Sequence, residues 1–289
     1  MKSESGFTAM SADEFGAWLS SQKVTRTINR VQLHHTYQPD YKAWNGKPDA
    51  FYWQKSMKNY HVNTNGWADI AQQFTICPDG TIITGRSLNS APAGITGANT
   101  GAICIENLGN FDRGADIMST EQKTAIVTAV AELLKRFGID SSKVTYHAWW
   151  GADGSKLGDY IAGKSAKTCP GTAFFGGNTK AAYEKNLKPL IDNYEKGGIS
   201  VTQYEELKSL IADKDKIINI MGEEIEELKA QSPENDMIYN YIDDNMPSWA
   251  REAVSWCVKN GIIQGTGTGL GLDYRDLKWC TMLFRAFAA

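Results

Sequence analysis

Arg30-Val31-Gln32-Leu33-His34 is a short apolar run that ends in a histidine. Its length and its aliphatic residues predict a buried strand, and this strand anchors the interpretation of the surrounding chain. Val144-Thr145-Tyr146 is a second run of this kind and leads into His147. Ala102-Ile103-Cys104-Ile105 is a third and leads into Glu106. Each predicted strand therefore ends beside a side chain that can bind a metal or move a proton.

Strand-like and helix-like stretches are mixed over residues 1–195, which predicts an α/β layered fold. Two apolar stretches joined by Pro78-Asp79-Gly80 predict a β-hairpin. A helix over residues 119–137 is indicated by apolar residues at helical spacing, a Ser or Thr cap and the terminal Gly138. The remaining predicted elements of this part are helices at 12–20 and 49–60, hairpin strands at 71–76 and 81–84, and a strand at 102–107.

His34, His147 and Cys169 form a candidate metal site, although they lie far apart in the chain. Cys169 belongs to the turn Lys167-Thr168-Cys169-Pro170-Gly171. Two neutral imidazoles and one thiolate suit a tetrahedral Zn²⁺ whose fourth position is open to water, which is the catalytic form of a zinc site. Taken singly, each residue is better explained by a buried structural role, since free cysteine is among the most buried residue types.

The composition describes a chain with enough apolar residues for a real core, 42% of 289 residues, and a net charge of −3. This charge argues against nucleic acid as the main partner. No stretch approaches the roughly 18 uncharged apolar residues of a membrane span. The start, Met1-Lys2-Ser3-Glu4-Ser5-Gly6, lacks the apolar region of a signal peptide. Five scattered cysteines favour reduced thiols over a disulfide framework.

Residues 196–235 are predicted to form a helical linker that begins after Gly197-Gly198 and ends at Ser232-Pro233. Apolar residues recur there in alternating steps of three and four, which favours a two-stranded parallel coiled coil and a homodimer through residues 201–230. The alternative is a single amphipathic helix that packs on its own catalytic domain. The repeating positions are Tyr204, Leu207, Ile211, Lys214, Ile218, Met221, Ile225 and Leu228.

Residues 236–289 are predicted to form a third, small and mainly α-helical part, with helices at 247–259 and 276–287. The chain is thus expected to contain a domain at 1–195, a linker at 196–235 and a module at 236–289.

The first part resembles the zinc N-acetylmuramoyl-L-alanine amidases of phage endolysins and the related peptidoglycan-recognition proteins, from about Asn29 to Asn178. The motifs occur in the order found in that family. They are Val31-Gln32-Leu33-His34-His35-Thr36, Gly66-Trp67-Ala68-Asp69-Ile70, Phe74-Thr75-Ile76-Cys77-Pro78-Asp79-Gly80-Thr81, Gly85-Arg86, Ala102-Ile103-Cys104-Ile105-Glu106-Asn107, Tyr146-His147 and Lys167-Thr168-Cys169-Pro170-Gly171.

The resemblance implies a mixed central sheet flanked by helices, a zinc cofactor, bacterial peptidoglycan as the partner, and cleavage of the amide bond between N-acetylmuramic acid and L-alanine. It places the catalytic glutamate at Glu106 and a second catalytic group at Lys167, where Lys156 and Lys164 are close alternatives. Gln72 stands where many family members have a tyrosine, and glutamine can donate a hydrogen bond but cannot act as an acid. A peptidoglycan-binding protein with little catalysis is therefore the alternative function.

The endolysin resemblance and the start of the chain together imply an enzyme without a signal peptide that stays in the host cytoplasm until its release to the cell wall. The last part resembles an S-layer homology module, which implies binding of a secondary wall polymer. The matching stretches are Tyr241-Ile242-Asp243-Asp244, Trp249-Ala250, Ala253-Val254, Gly261-Ile262-Ile263 and Gly265. Tyr274-Arg275-Asp276-Leu277 departs from the usual motif of such modules, so packing or oligomerisation is the alternative role.

Overall fold

The computed structural model describes residues 1–195, 201–231 and 237–288. The chain divides into two compact units, Met1–Leu207 and Lys208–Ala289. The predicted linker boundaries at Gly197-Gly198 and Ser232-Pro233 lie outside the described residues. The three-part division of the chain therefore stays a prediction.

Within the described residues, seven strands form one mixed sheet in the order β1-β2-β5-β4-β6-β3-β7. Strand β3 lies between β6 and β7 and is parallel to both. Strand β4 is parallel to β6, whereas the remaining pairs are antiparallel. The strands are β1 Lys2–Glu4, β2 Phe7–Met10, β3 Arg30–His35, β4 Phe74–Ile76, β5 Ile82–Thr84, β6 Ala102–Asn107 and β7 Val144–Tyr146. The predicted mixed α/β sheet is confirmed.

Helices flank this sheet and continue into the second unit. They are α1 Ala12–Ser21, α2 Tyr41–Gly46, α3 Ala50–Asn59, α4 Thr120–Phe137, α5 Lys180–Ala182, α6 Lys188–Glu195, α7 Val201–Gln231, α8 Ser248–Lys259 and α9 Tyr274–Phe287. Short helical turns occupy Tyr60–Thr64, Ser141–Lys143, His147–Trp149, Phe174–Gly176 and Tyr183–Leu187. The helices predicted at 12–20, 49–60 and 119–137 are confirmed, as is the hairpin, whose strands are shorter than expected.

Helix α4 shows why the prediction from sequence succeeded. The Ser119 hydroxyl accepts a hydrogen bond from the Gln122 backbone N–H, which caps the first turn. Gly138 adopts a left-handed conformation at φ 63° and closes the last turn. Between these ends the apolar side chains Ile126, Val130 and Leu133 are fully buried in the main core. Helix α1 packs beside α4, and its Phe15 and Leu19 belong to the same core.

The two faces of the sheet differ in polarity, because successive side chains of a strand point to opposite faces. One face of β3 and β6 presents Val31, Leu33 and Ile105 to the core shared with α4. The opposite face presents buried polar side chains such as Gln32 and His34. Strand β3, whose sequence predicts a buried apolar strand, therefore has one polar face, and the candidate site lies on that face.

The second unit contains a small core between α8 and α9, which confirms the two helices predicted at 247–259 and 276–287. Cys257 and Leu277 are fully buried there. In α7, the predicted helix is confirmed, and its described apolar side chains are exposed to solvent. The exposed apolar residues of α7 are Leu207, Leu210, Ile211, Ile217, Ile218, Ile220, Met221 and Ile225.

None of the helices in the described parts of the chain combines the length and the apolar character needed to cross a membrane.

Candidate metal centre

The structure brings His34, His147 and Cys169 together, as the sequence predicts. His34 lies in β3 and His147 directly follows β7, the parallel neighbour of β3. The ligand atoms of the three side chains all lie within 4.8 Å of one another. The His34 Nδ1 atom is 3.4 Å from the Cys169 Sγ atom, and the two imidazole rings are 5.1 Å apart at an interplanar angle of 72°. Three donors therefore converge on one point at the edge of the polar face.

The loop that carries Cys169 is held by contacts that the sequence did not reveal. The Ala148 N–H donates a 2.7 Å hydrogen bond to the Cys169 carbonyl, which ties the loop to the segment after His147. The Asp112 carboxylate accepts hydrogen bonds from the Thr168 hydroxyl at 3.1 Å and from the Thr172 N–H at 2.9 Å. Asp112 thus joins two positions of the loop on either side of Cys169.

Gly171 completes this turn, because no larger residue fits at its position. Its φ of +119° is one that side chains rarely adopt, and a Cβ atom there would collide with the Phe111 carbonyl. The Gly171 N–H donates a 3.0 Å hydrogen bond to the Thr168 carbonyl. The Cys-Pro-Gly motif is therefore needed for the local backbone as well as for the thiol.

Burial affects the protonation of all three side chains, and in the two histidines it favours the form that binds a metal. It lowers the pKa of His34 well below its usual value and that of His147 to about 4, and Lys167 lowers both further. Both imidazoles are consequently neutral at pH 7, with a lone pair free to bind a metal. Burial, followed by the nearby Glu106, raises the pKa of the Cys169 thiol.

The donor set fits zinc on two observations. A divalent cation supplies the charge that stabilises a buried thiolate, and two imidazoles with one thiolate are ligands that zinc prefers. The His34 Nε2 atom is buried without a hydrogen-bond partner among the described residues, whereas the Nδ1 atom of the ring faces the Cys169 Sγ atom and is the nitrogen directed at the ligand position.

Glu106 lies beside this cluster. It occupies β6 directly opposite His34 in the parallel register, so the two side chains share the polar face. Its side chain is partly buried. Burial raises the pKa of Glu106 to about 8, although the Lys167 charge opposes this shift. A carboxyl group with a pKa near neutrality can both accept and donate a proton.

Lys167 is the one of the three neighbouring lysines that acts on the site. Its side chain is exposed, two residues before Cys169. Its positive charge lowers the pKa of His147 and of Glu106. Lys156 and Lys164 contribute to neither shift, so Lys167 is the lysine whose charge reaches the site.

Gln72, which stands where many family members have a tyrosine, is fully buried. Its amide donates a 2.8 Å hydrogen bond to the Thr75 hydroxyl, and that hydroxyl donates at 2.7 Å to the Gln54 side-chain oxygen. The Gln72 amide therefore supports helix α3 and is not presented to a substrate. Of Gln72 and Glu106, only Glu106 has a side chain that can take up and release a proton.

Other histidine, tryptophan and cysteine side chains of the chain have mainly structural contacts. His35 lies outside the cluster, and its Nδ1 atom accepts a 3.1 Å hydrogen bond from the Phe111 N–H. His61 accepts a hydrogen bond from the Ala71 N–H and stacks on Trp67 at 4.8 Å. Trp67 remains partly exposed, whereas Trp149 and Trp150 are buried. The four remaining cysteines are buried and free, as expected of core residues: Cys77, Cys104, Cys257 and Cys280.

The sequence matches a known protein family over much of its length. The model of the family described as N-acetylmuramoyl-L-alanine amidase (Amidase_2) matches residues 24–172, which is just over half of the chain. The chain belongs to this amidase family. The match contains all three metal-ligand candidates as well as Glu106 and Lys167.

This amidase-family chain is similar in sequence to insect proteins and similar in fold to insect and bacterial proteins. Peptidoglycan-recognition protein SC2 of Drosophila simulans is 29% identical over 143 residues, which are 49% of this chain and 75% of that protein. Among solved structures, Drosophila PGRP-LB is 22% identical with a TM-score of 0.42 and aligns 57% of this chain with 84% of its own. The amidase LysC from Clostridium intestinale is 21% identical with a TM-score of 0.39, covering 57% of this chain and 90% of its own.

Proposed function

We propose that the first unit is a zinc-dependent amidase that hydrolyses the bond between N-acetylmuramic acid and L-alanine in bacterial peptidoglycan. The observation that carries this proposal is the convergence of His34, His147 and Cys169 within 4.8 Å, directly beside Glu106. Membership of the N-acetylmuramoyl-L-alanine amidase family and the similarity to peptidoglycan-recognition proteins support the substrate class. The buried, unpaired cysteines and the endolysin resemblance support a role as a phage endolysin.

The roles of the residues follow from their positions. His34, His147 and Cys169 would hold the zinc ion, which when bound polarises the scissile carbonyl and makes water more acidic. Glu106 takes the proton from the attacking water and then passes it to the nitrogen of the leaving L-alanine. Its place directly opposite His34, beside the ligand cluster, suits it to serve both proton steps in turn. Lys167 stabilises the negative charge that develops on the carbonyl oxygen, because its cation lies close enough to act on the ligands and on Glu106.

A digest of purified peptidoglycan tests the reaction directly. The zinc-loaded protein is incubated with cell walls, with and without a chelator, and the products are scored for new N-terminal alanine and for new reducing sugar ends. Chelator-sensitive alanine amines without reducing ends are the expected result. A protein that binds the wall but releases neither product would instead be a peptidoglycan-binding protein with little catalysis.

Self-association through α7 is a further part of the proposal. Ile211, Ile218 and Ile225 repeat every seven residues and are exposed, a pattern that favours pairing with a second copy of the helix. We expect the mass of a dimer by light scattering at micromolar concentration. Ile218→Asp should yield a monomer, whereas Ser209→Asp on the opposite side of the helix should not. A monomeric wild type would end the dimer proposal.

The second unit is proposed to bind a secondary wall polymer. Its exposed aromatic side chains, Tyr241 and Trp279 among them, supply flat apolar surfaces of the kind that stack on sugar rings. Loss of wall binding by a Trp279→Ala variant, with unchanged hydrolysis of soluble fragments, is the expected outcome.

A further inference from the structure

We propose that Gln32 and Gly94 position the metal-binding imidazole of His34. In this arrangement the amide oxygen of Gln32 accepts the Nε2–H proton of the ring, directly or through one water molecule, and Gly94 leaves the space in which that contact forms. The inference rests on the zinc site of the proposed function and assigns it two residues outside the ligand set.

The His34 ring is oriented so that one nitrogen faces the ligand position and the other faces away from it. Its Nδ1 atom faces the Cys169 Sγ atom at 3.4 Å, so Nδ1 is the atom that meets the shared ligand position. A neutral imidazole that offers its Nδ1 lone pair carries its proton on Nε2. The Nε2 atom is buried, and no described residue accepts a hydrogen bond from it. The ring therefore presents a buried donor on the side away from Cys169.

The Gln32 side-chain amide has a defined orientation. Gln32 lies two residues before His34 and on the same face of β3. Its Nε2 group donates a 2.9 Å hydrogen bond to the Ala98 carbonyl. A carbonyl accepts only from the amino end of an amide, so this bond fixes which end of the side chain is oxygen. The Gln32 Oε1 atom is fully buried and has no partner within the described residues.

The His34 Nε2 atom and the Gln32 Oε1 atom both border a small space next to Gly94. A Cβ atom on Gly94 would lie 3.0 Å from the His34 Nε2 atom and would collide with the Gln32 Oε1 atom. It would also lie 3.0 Å from the Cys104 Sγ atom. A buried donor and a buried acceptor therefore border one gap, and the gap exists because residue 94 has no side chain.

The backbone gives no other reason for glycine at this position. Gly94 is not among the glycines with a positive φ, so its conformation is open to any residue. Its segment is held firmly, because the N–H groups of Gly94 and Ile95 both donate 2.9 Å hydrogen bonds to the Asn99 side-chain oxygen. These two bonds oppose a shift of the loop that would make room for a methyl group.

The expected consequence is a fixed tautomer and a fixed ring direction for His34. Partners of this kind, which bind the second nitrogen of a ligating histidine, are typically worth about 10- to 100-fold in metal affinity. Gln32 and Gly94 are positioning residues in this sense, since they act on the metal only through His34.

The test compares zinc affinities of full-length variants. Gln32→Leu removes the acceptor, and Gly94→Ala fills the gap. Gln73→Leu is the matched control, because Gln73 is an equally buried glutamine whose oxygen and amino group are already bonded to the Cys104 N–H and the Ser90 carbonyl. Competition with a chromophoric chelator gives the dissociation constant for zinc. The absorption spectrum of the cobalt-substituted protein reports the ligand geometry, which a loss of stability alone does not alter.

We expect about 10- to 100-fold weaker zinc binding and a changed cobalt spectrum for Gln32→Leu and Gly94→Ala, and neither effect for Gln73→Leu. Wild-type affinity and spectrum in Gln32→Leu would overturn the inference while leaving the zinc site intact. A wild type that binds no zinc would instead overturn the proposed function.

Nitrogen-15 spectra of the histidine rings provide a second measurement on the unaltered zinc-loaded protein, independent of whether a variant folds. The inference requires the His34 proton on Nε2, protected from exchange with solvent. A proton on Nδ1, or an Nε2 proton that exchanges freely, would contradict it.

Discussion

Cys169→Ala is expected to lose its bound zinc and, with it, all measurable amidase activity. The substitution removes the only thiolate of the predicted ligand set, and the two remaining imidazoles cannot supply its charge. The loss of zinc affinity should exceed the roughly 10- to 100-fold that is typical for residues that only support a ligand. Zinc content after dialysis, measured by atomic emission, and the peptidoglycan digest are the two readouts.

Cys77→Ala is the control for this prediction. Cys77 is also a buried, free cysteine of the first unit, but it lies outside the metal cluster. Its replacement should reduce the free energy of unfolding while leaving zinc content and activity unchanged. Full zinc occupancy in Cys169→Ala would exclude Cys169 from the site. His34→Ala is expected to behave like Cys169→Ala.

Glu106→Gln is expected to reduce kcat by about 10²- to 10⁴-fold, the usual contribution of a positioned proton-transfer group. Glutamine has nearly the same shape but can neither take a proton from water nor give one to an amine. Zinc content and binding to insoluble peptidoglycan should match those of the wild type. Glu121→Gln, at an exposed position in the first turn of α4, is the matched control with full activity. An active Glu106→Gln would exclude Glu106 as the proton-transfer group.

The chelated protein offers an independent check on Glu106 through the pH dependence of stability. Burial raises the pKa of Glu106 from 4.5 to about 8 in the folded state. The folded state therefore favours the protonated form, and this contribution to stability is fully present below pH 4.5 and is lost as the pH rises through about 8. Denaturant unfolding of the wild type should show this loss, and Glu106→Gln should lack it. Parallel pH profiles for the two proteins would mean that Glu106 is not buried as described.

The convergence of His34, His147 and Cys169 could be predicted because their residue types carry metal chemistry, the two histidines follow recognisable apolar runs and Cys169 lies in a Cys-Pro-Gly turn. The supporting residues could not. Gln32 lies within an apolar run, and its sequence context does not reveal that a loop covers it. Gly94 and Asp112 belong to loops without a periodic pattern, and their importance depends on which distant atoms they approach. Long-range contacts of this kind follow from tertiary packing.

In the fold, too, elements with a local sequence pattern could be predicted, whereas features that depend on distant contacts could not. Helix α4 has a cap, an apolar stripe and a terminal glycine within its own sequence, and its prediction was correct. Strand β1 went unrecognised because all three of its residues are exposed, so it has no alternation of apolar and polar positions. The burial of Gln72 was equally hidden, since it depends on Gln54 and Thr75 in other elements.

The pairing of β6, β3 and β7 divides the metal centre into a rigid part and an adjustable part. Glu106, His34 and His147 stand on or directly after neighbouring strands, where the spacing of about 4.8 Å between strands fixes their separation. Cys169 and Lys167 come from a loop held by Asp112 and by Gly171. Warming is expected to loosen this loop before the sheet melts, so that zinc bound at the proposed site would be released, and the proposed activity lost, while most of the fold is still intact. Heat inactivation would then be reversible over a range of temperatures below the melting transition.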